Sequence, residues 1–253
     1  MGLYQQASGT SRYCYGKKER SINTILKKDT SAMKLYDYAI APNPRRVTIF
    51  IAEKGIEIET VQIDLRAGEQ KTPEFTALNP MQDVPALELD DGSCINQVNA
   101  ICRYLEEVYP QPPLYGRTAV ERAQVESWNH RIQNNGILAV TEAYRNSSPF
   151  FANRAVSGPN AYAQIPELSE RGLKRIGDFY TDMNAHFADN QFVMGDYFSV
   201  VDITAYITVD FAKWVKMSIP EDCTHLQRWF NEWVPVPALA KIAFRKQSLN
   251  NPC

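Results

Sequence analysis

Asn79-Pro80-Met81-Gln82-Asp83-Val84-Pro85-Ala86-Leu87 is the stretch whose residue types and order point most directly to chemistry. Val84-Pro85 is a residue-then-proline step at the mouth of a strand, and it is expected to be cis. Only such bonds make cis accessible, at about 0.5–1 kcal/mol against roughly 3–4 for other residues. A cis step there turns the main chain of Val84 outward. Its N–H and C=O are then unpaired by the sheet and free to bind an extended peptide.

The elements that must hold this edge follow in order. Ala86-Leu87-Glu88-Leu89 reads as a strand turning at Asp90-Asp91-Gly92, a strong hairpin signal. A helix is expected from Gln97 to Tyr109, with Val98, Ile101, Cys102, Leu105 and Val108 on one apolar stripe. Upstream, Leu35 to Tyr38 reads as a first strand and Ala41-Pro42-Asn43-Pro44 as a turn. A helix is expected from Arg45 to Lys54, with Asn43 as N-cap, Pro44 at its first position and Gly55 just past its end. Val61 to Leu65 alternates with period two and reads as a second strand. Arg66 to Leu78 reads as a loop with a short helix.

Pro110-Gln111-Pro112-Pro113 ends the helix and makes a stiff linker, where the domain boundary is expected. Beyond it the periods are helical. Thr118 to Glu121 matches a capping box before a helix carrying Val125, Trp128 and Ile132. Leu173, Ile176, Tyr180, Met183 and Phe187 mark another helix, and 146–166 reads as a loop region. Ser199 and Asp202 form a second capping box with a structural role only, opening a helix expected to bury Ile203, Ile207, Phe211 and Trp214. Trp229 and Trp233 lie on a last predicted helix ending near Pro235 and Pro237.

The chain has 253 residues, enough for two ordinary domains. Its net charge of −2 makes no case for nucleic acid or an anionic membrane as partner. No apolar run approaches the roughly 18 residues of a membrane span. Five cysteines without C-x-x-C spacing argue against a disulfide scaffold or zinc site and favour a reducing cytoplasm. Three histidines give a His-based metal site little to work with. Residues 1–32 are polar without an apolar leader segment, and a disordered extension is expected there.

The order Asn-Pro, Val-Pro, hairpin, Gln-x-x-Ala-Ile-x-x-Tyr-Leu resembles the glutathione S-transferase family. So does Gly195-Asp196-x-x-Ser199-x-x-Asp202-Ile203, and the Ala41-Pro42-Asn43 turn is similar to that of nu-class members. The resemblance implies a thioredoxin-like α/β domain over residues 33–110, a linker over 111–117 and an all-helical domain over 118–253. It implies an enzyme that conjugates glutathione to small electrophiles, or uses it to reduce disulfides or peroxides, as a homodimer. Glutathione is then a co-substrate, and no cofactor or metal is implied. The alternative is a transferase-like module that binds without catalysis.

A glutathione enzyme must hold the cysteinyl sulfur as a thiolate, although a free thiol titrates near 8.5 (about). Family members use a Tyr, Ser or Cys at the end of the first strand. Ala41 occupies the Ser or Cys place, so neither type is present there. The resemblance points instead to Asn43, whose amide donates at a helix N-terminus, with its capping role as the other reading. Tyr38 is the second candidate donor, or else a packed strand aromatic. For the tripeptide, the resemblance assigns Val84 and Pro85 to the cysteinyl main chain and Gln97 with the helix start at Val98 to the γ-glutamyl group. Val98 departs from the family's Ser or Thr and lacks its hydroxyl. Gln70 matches the Gln of the nu-class loop at the glycyl end, and Lys71 beside it is placed to pair with the glycine carboxylate; a solvated loop is the alternative for both. Arg171 is a single-residue match to an Arg near glutathione, set against an ordinary solvated helix face. Tyr144, Phe150, Phe151 and Tyr162 line the second-substrate pocket or belong to the core. Cys94 and Cys102 read as buried small hydrophobes.

Overall fold

The computed structural model describes residues 33–232. Strand β1 (Lys34–Asp37) buries every second residue, the mark of a strand with one covered face. Helix α1 (Pro42–Glu53) carries the chain across to β2 (Glu59–Gln62), which pairs parallel to β1. A single 3-10 turn (Glu69–Lys71) and helix α2 (Pro73–Leu78) lead to β3 (Ala86–Glu88), β4 (Cys94–Asn96) and helix α3 (Val98–Val108). The sheet order is β2-β1-β3-β4, with β3 and β4 antiparallel to their neighbours. Val47, Phe50, Ile101 and Leu105, all essentially inaccessible, cover the core side of the sheet from α1 and α3. This is the thioredoxin-like α/β domain that the sequence implied.

Helix α1 starts three residues earlier than expected, and this corrects the reading of Asn43. The N-cap is Ala41, with extended backbone and no side-chain cap bond. Pro42 opens the helix instead, because its φ is already helical and it has no N–H to leave orphaned. Asn43 therefore sits inside the first turn and caps nothing. Gly55 lies just past the helix at φ +63°, where a side chain would be strained. Strand β2 likewise begins and ends earlier than predicted, although the Ile63 N–H still donates to the Asp37 carbonyl at 2.8 Å.

The second domain holds α4 (Ala119–Ile132), a π-helical turn (Gln133–Ile137), α5 (Leu138–Ser147), a 3-10 turn (Pro149–Phe151) and α6 (Pro166–His186). Helix α7 (Val200–Ala212), a 3-10 turn (Lys213–Val215) and α8 (Thr224–Glu232) complete it. Both capping boxes form, at Thr118–Glu121 and Ser199–Asp202. Ile203, Ile207 and Phe211 are buried as expected, but Trp214 is 39% exposed because the helix has tightened to 3-10 geometry before it. Val108 is also 37% exposed, since the stripe on α3 turns off the core at its last turn. Trp233, Pro235, Pro237 and residues 1–32 lie outside the described residues.

Two charged side chains of α1 tie the domains together. Arg45 pairs with Asp210 of α7 at 2.6 Å. Arg46 is buried and donates to Gln133 Oε1, Asn99 Oδ1 and Thr204 Oγ1, each at 3.0 Å. At the linker, where Gln111-Pro112 is cis, the buried Lys54 ammonium pairs with Glu106 and donates to the Pro112 carbonyl at 2.5 Å.

Helices α5 and α6 approach through Gly172, where an added Cβ would lie 2.7 Å from the Ala139 carbonyl oxygen and the Ala143 nitrogen. Those are main-chain atoms and cannot swing aside. Gly172→Ala is expected to lower stability by about 1–3 kcal/mol in denaturant titrations. Asp202 supplies a pH test. Its Oδ1 accepts from the Val193 N–H at 2.8 Å and its Oδ2 from the Ser199 N–H at 3.0 Å, and burial pushes its pKa up to about 7. A carboxyl raised on folding contributes stability at low pH that is lost as pH rises through its folded value. The Asp202 contribution is therefore expected to fall between about pH 4 and 7. Asp202→Asn should flatten that slope in denaturation midpoints against pH, while costing about 1–3 kcal/mol for a misplaced NH2 against a donor.

Candidate functional site

A cavity of about 650 Å³ opens between the two domains. One wall is the N-terminal turn of α1, from Ala41 to Pro44, with Tyr38 and Ile40 leading into it. A second is the loop with Leu65, Arg66, Gln70 and Lys71, and a third is Gln82 to Val84. The helical domain closes the space with Ile137, Thr141, Tyr144, Phe151 and Trp214. The cavity exists because Arg45 and Arg46 clamp α1 against α7 and the π turn while the helix N-terminus in front of them stays uncovered.

The Val84-Pro85 bond is cis, as expected. Among the described residues neither the N–H nor the C=O of Val84 has a hydrogen-bond partner. Asn79, 1% exposed, positions this edge. Its Nδ2 donates to the Asp83 carbonyl at 2.8 Å, and its Oδ1 accepts from the Met81 N–H at 3.1 Å and from Asn96 Nδ2 at 3.0 Å. Strand register brings the helix start to the same end of the sheet, although neither Gln97 nor Val98 lines the cavity. Ala86 lies opposite Asn96, so Val84 and the Gln97–Val98 step share one end of the sheet.

Helix α3 begins at Val98, and the N–H groups of Val98, Asn99 and Ala100 have no partner among the described residues. They form a positive helix end. Gln97 precedes them at φ 71°, ψ 127°, a conformation that strains any residue with a Cβ by about 1–3 kcal/mol. Its exposed side chain makes no cap bond. The Val98 side chain is buried in the core, so only its N–H remains for a ligand. Pro85 is buried behind the edge and does not line the cavity.

At the opposite wall, Pro42 and Pro44 have no N–H and Arg45 donates to the Ala41 carbonyl. Asn43 thus holds the one free main-chain N–H of the first turn, together with an exposed carboxamide that bonds to none of the described residues. Both donors face a cavity at the positive end of a helix. Tyr38 also lines the cavity; burial raises its pKa, partly offset by Arg66, so its phenol stays a donor. Gln70 is buried, yet its Oε1 has no partner, which marks it as an acceptor waiting for a donor. Lys71 is exposed beside it on the cavity rim.

Some expected residues are not brought in. Arg171 is directed to Glu142 at 2.7 Å, pinning α6 to α5 beside Arg175, and does not line the cavity. Tyr162 is 50% exposed and outside the lining, whereas Tyr144, Phe150 and Phe151 are part of it. Cys102 is fully buried, with burial pushing its thiol to about 12, and neither Cys94 nor Cys102 reaches the cavity. Sequence reasoning missed Arg66, Gln82, Asp83, Arg145 and Arg154 as lining residues. Gln82 and Asp83 lay within the Asn79–Leu87 stretch; nothing in the spacing marks the arginines.

Family models for the glutathione S-transferase N-terminal and C-terminal domains match residues 31–107 and 148–235. Glutathione S-transferase 2 of Saccharomyces cerevisiae is 31% identical over 85% of this chain and 91% of its own length. The chain belongs to the glutathione S-transferase family. Among solved structures of the family, a glutathione S-transferase domain-containing protein of Marinobacter aquaeolei is 36% identical. It covers 79% of this chain and 96% of its own, with a TM-score of 0.73. Gtt2 of Saccharomyces cerevisiae, 31% identical, superposes with a TM-score of 0.75 over 83% of this chain and 99% of its own. The transferase architecture of an α/β domain leading into a helical domain is therefore shared along most of the chain.

Two substitutions test this geometry. Gln97→Gly removes the backbone strain without deleting a contact and is expected to raise stability by about 1 kcal/mol in thermal or chemical unfolding. Asn79→Ala leaves the Asp83 carbonyl and the Met81 N–H unpaired. It should cost about 1–3 kcal/mol and weaken retention on immobilised glutathione.

Proposed function

We propose that this family member is a glutathione transferase that grips the tripeptide chiefly through main-chain groups and activates its sulfur at Asn43. The observation that carries this is the pairing across one cavity of the unbonded Val84 main chain with the two free donors of Asn43. The cysteinyl residue lies along Val84, exchanging two hydrogen bonds as an added strand would. The γ-glutamyl carboxylate takes the free N–H groups at the start of α3, with the Gln97 amide oxygen accepting from its ammonium. The unpaired Gln70 Oε1 accepts from the glycyl amide, and Lys71 pairs with the terminal carboxylate.

This pose sets the sulfur toward the N-terminus of α1. There the Asn43 N–H, its carboxamide and the helix dipole favour the thiolate over the thiol and lower the sulfur's pKa. Tyr38, held protonated, is the second donor. The thiolate then attacks an electrophile lodged among Tyr144, Phe151 and Trp214, and the thiol proton leaves to solvent. Tyr144 meets Phe151 and Trp214 edge-on at 5.2 and 5.3 Å, leaving an aromatic trough beside the sulfur position. A homodimer in the cytoplasm, with a role in detoxification, goes with this reading. No described helix is long and apolar enough to cross a membrane.

The competing reading, a module that binds glutathione without activating it, draws its support from Ala41 and Val98, where two hydroxyl donors are missing. Thiolate absorbance of bound glutathione against pH separates the two. In the wild type the bound thiol should titrate at least about one unit below its free value near 8.5. Asn43→Ala should return much of that shift and lower kcat about tenfold or more, whereas Tyr38→Phe should move it less. Binding without a lowered thiol pKa would favour the module, and no binding at millimolar glutathione would remove both readings.

A further inference from the structure

Positive charge is concentrated in the cavity beyond what glutathione needs. Its lining carries Arg66, Lys71, Arg145 and Arg154 against a single carboxylate, Asp83. That is an excess of three positive charges. Bound glutathione thiolate, with two carboxylates and one ammonium, brings an excess of two negative charges. One positive charge is left over, and Arg145 and Arg154 lie at the aromatic end.

These two arginines differ from the ion-paired ones. Arg45, Arg103, Arg131, Arg171 and Arg175 each pair with a carboxylate. Arg145 and Arg154 have no acidic partner among the described residues. Instead the Arg145 guanidinium lies 4.2 Å from the Phe151 ring centroid, and that of Arg154 lies 4.7 Å from Phe150. Main-chain carbonyls take part of their hydrogen-bonding capacity. Arg145 Nε donates to Ala155 at 2.9 Å and its Nη2 to Arg154 at 2.5 Å, while Arg154 Nη2 donates to Phe150 at 2.9 Å. Arg145 Nη1 and Arg154 Nε and Nη1 are unspent among the described residues. Burial first, and the like charge of Arg154 second, lower the pKa of Arg145, as expected for two cations facing one space without an anion between them.

We propose that the acceptor end of the cavity selects an anionic electrophile: an aryl or unsaturated carboxylate, lodged in the trough between Phe151 and Tyr144 with its charge on Arg145 and Arg154. This rests on the glutathione reading above. An anion there relieves the repulsion between the guanidinium groups and accepts bonds from donors already fixed by the loop, so little side-chain entropy is lost. The aromatic floor excludes small hydrated anions and favours a carboxylate attached to a π-system. For a chlorinated nitroaryl carboxylate the step balances. The glutathione thiolate forms a C–S bond at the ring carbon bearing chlorine, and the C–Cl bond breaks with its electron pair leaving as chloride. The ring nitro groups carry the intermediate charge, and no oxidant or reductant takes part.

The test compares chlorodinitrobenzoate with neutral chlorodinitrobenzene, each rate divided by its uncatalysed rate with glutathione, on the full chain. Affinities of the two glutathione conjugates are measured alongside by titration calorimetry. The wild type should favour the carboxylate about tenfold or more in kcat/KM, chiefly through KM, and bind its conjugate correspondingly tighter. Arg154→Met should lower that preference about tenfold. Arg145→Lys, which keeps the charge, should retain more of it than Arg145→Met, and raised salt should reduce it. Equal binding of both conjugates, or a preference unchanged in Arg154→Met and Arg145→Met, would overturn the proposal and leave the glutathione reading standing. Failure to bind either conjugate or glutathione itself would instead overturn the glutathione reading, and this proposal with it.

Discussion

The burial of the Arg46 guanidinium at the meeting of α1, α3, α7 and the π turn governs the geometry of this protein. A buried cation without a carboxylate is expensive unless hydrogen bonds replace its water. Three side-chain acceptors at 3.0 Å do so for its two terminal nitrogens, each from a different element, while its Nε is left without a partner. Burial lowers its pKa to about 10, still leaving it charged near neutral pH. Because the three acceptors meet at one planar group, they fix how α1 sits against the helical domain. The Arg45–Asp210 pair adds a second point of attachment one residue away. Two anchors on successive residues stop α1 from rotating, and its N-terminal turn then faces the cavity.

The polar groups left unpaired at the Val84 edge, at the start of α3 and in the first turn of α1 are mostly main chain. Ala41 and Val98 carry no side-chain hydroxyl, and the donors that remain are N–H groups that no substitution short of proline removes. The two prolines flanking Asn43 narrow the first turn of α1 to one free N–H, which concentrates the helix dipole on a single spot. The strained Gln97 backbone and the orphan Gln70 oxygen are local costs that make sense beside a ligand. Stability is maintained elsewhere, in α7, whose residues are almost all buried and whose capping box is sealed by Asp202.

Much of this was legible before any coordinates. The Val84-Pro85 step, the Gly92 hairpin, both capping boxes and the helical periods after the linker are local signals, readable because their physics acts over about four residues. The start of α1 was misplaced because Asn43 and Pro42 both carry N-terminal preferences, and the proline's fixed φ prevailed. Trp214 was assigned to the core by helical spacing, but a change to 3-10 geometry placed it on the cavity wall. Arg171 matched by position along its helix, and a carboxylate on the neighbouring α5 claimed it.

The sequence by itself determined the family, the order of elements and the backbone edge beside Val84, because each depends on residue types close together in the chain. Only the tertiary structure decided that Asn43 has unspent donors, that Gln70 lacks a partner and that Arg145 and Arg154 share an aromatic recess without an acid. Those facts depend on what stands opposite each group across tens of residues of intervening chain. Hydrogen-bond satisfaction and charge balance belong to that three-dimensional neighbourhood, and no spacing along the chain encodes them.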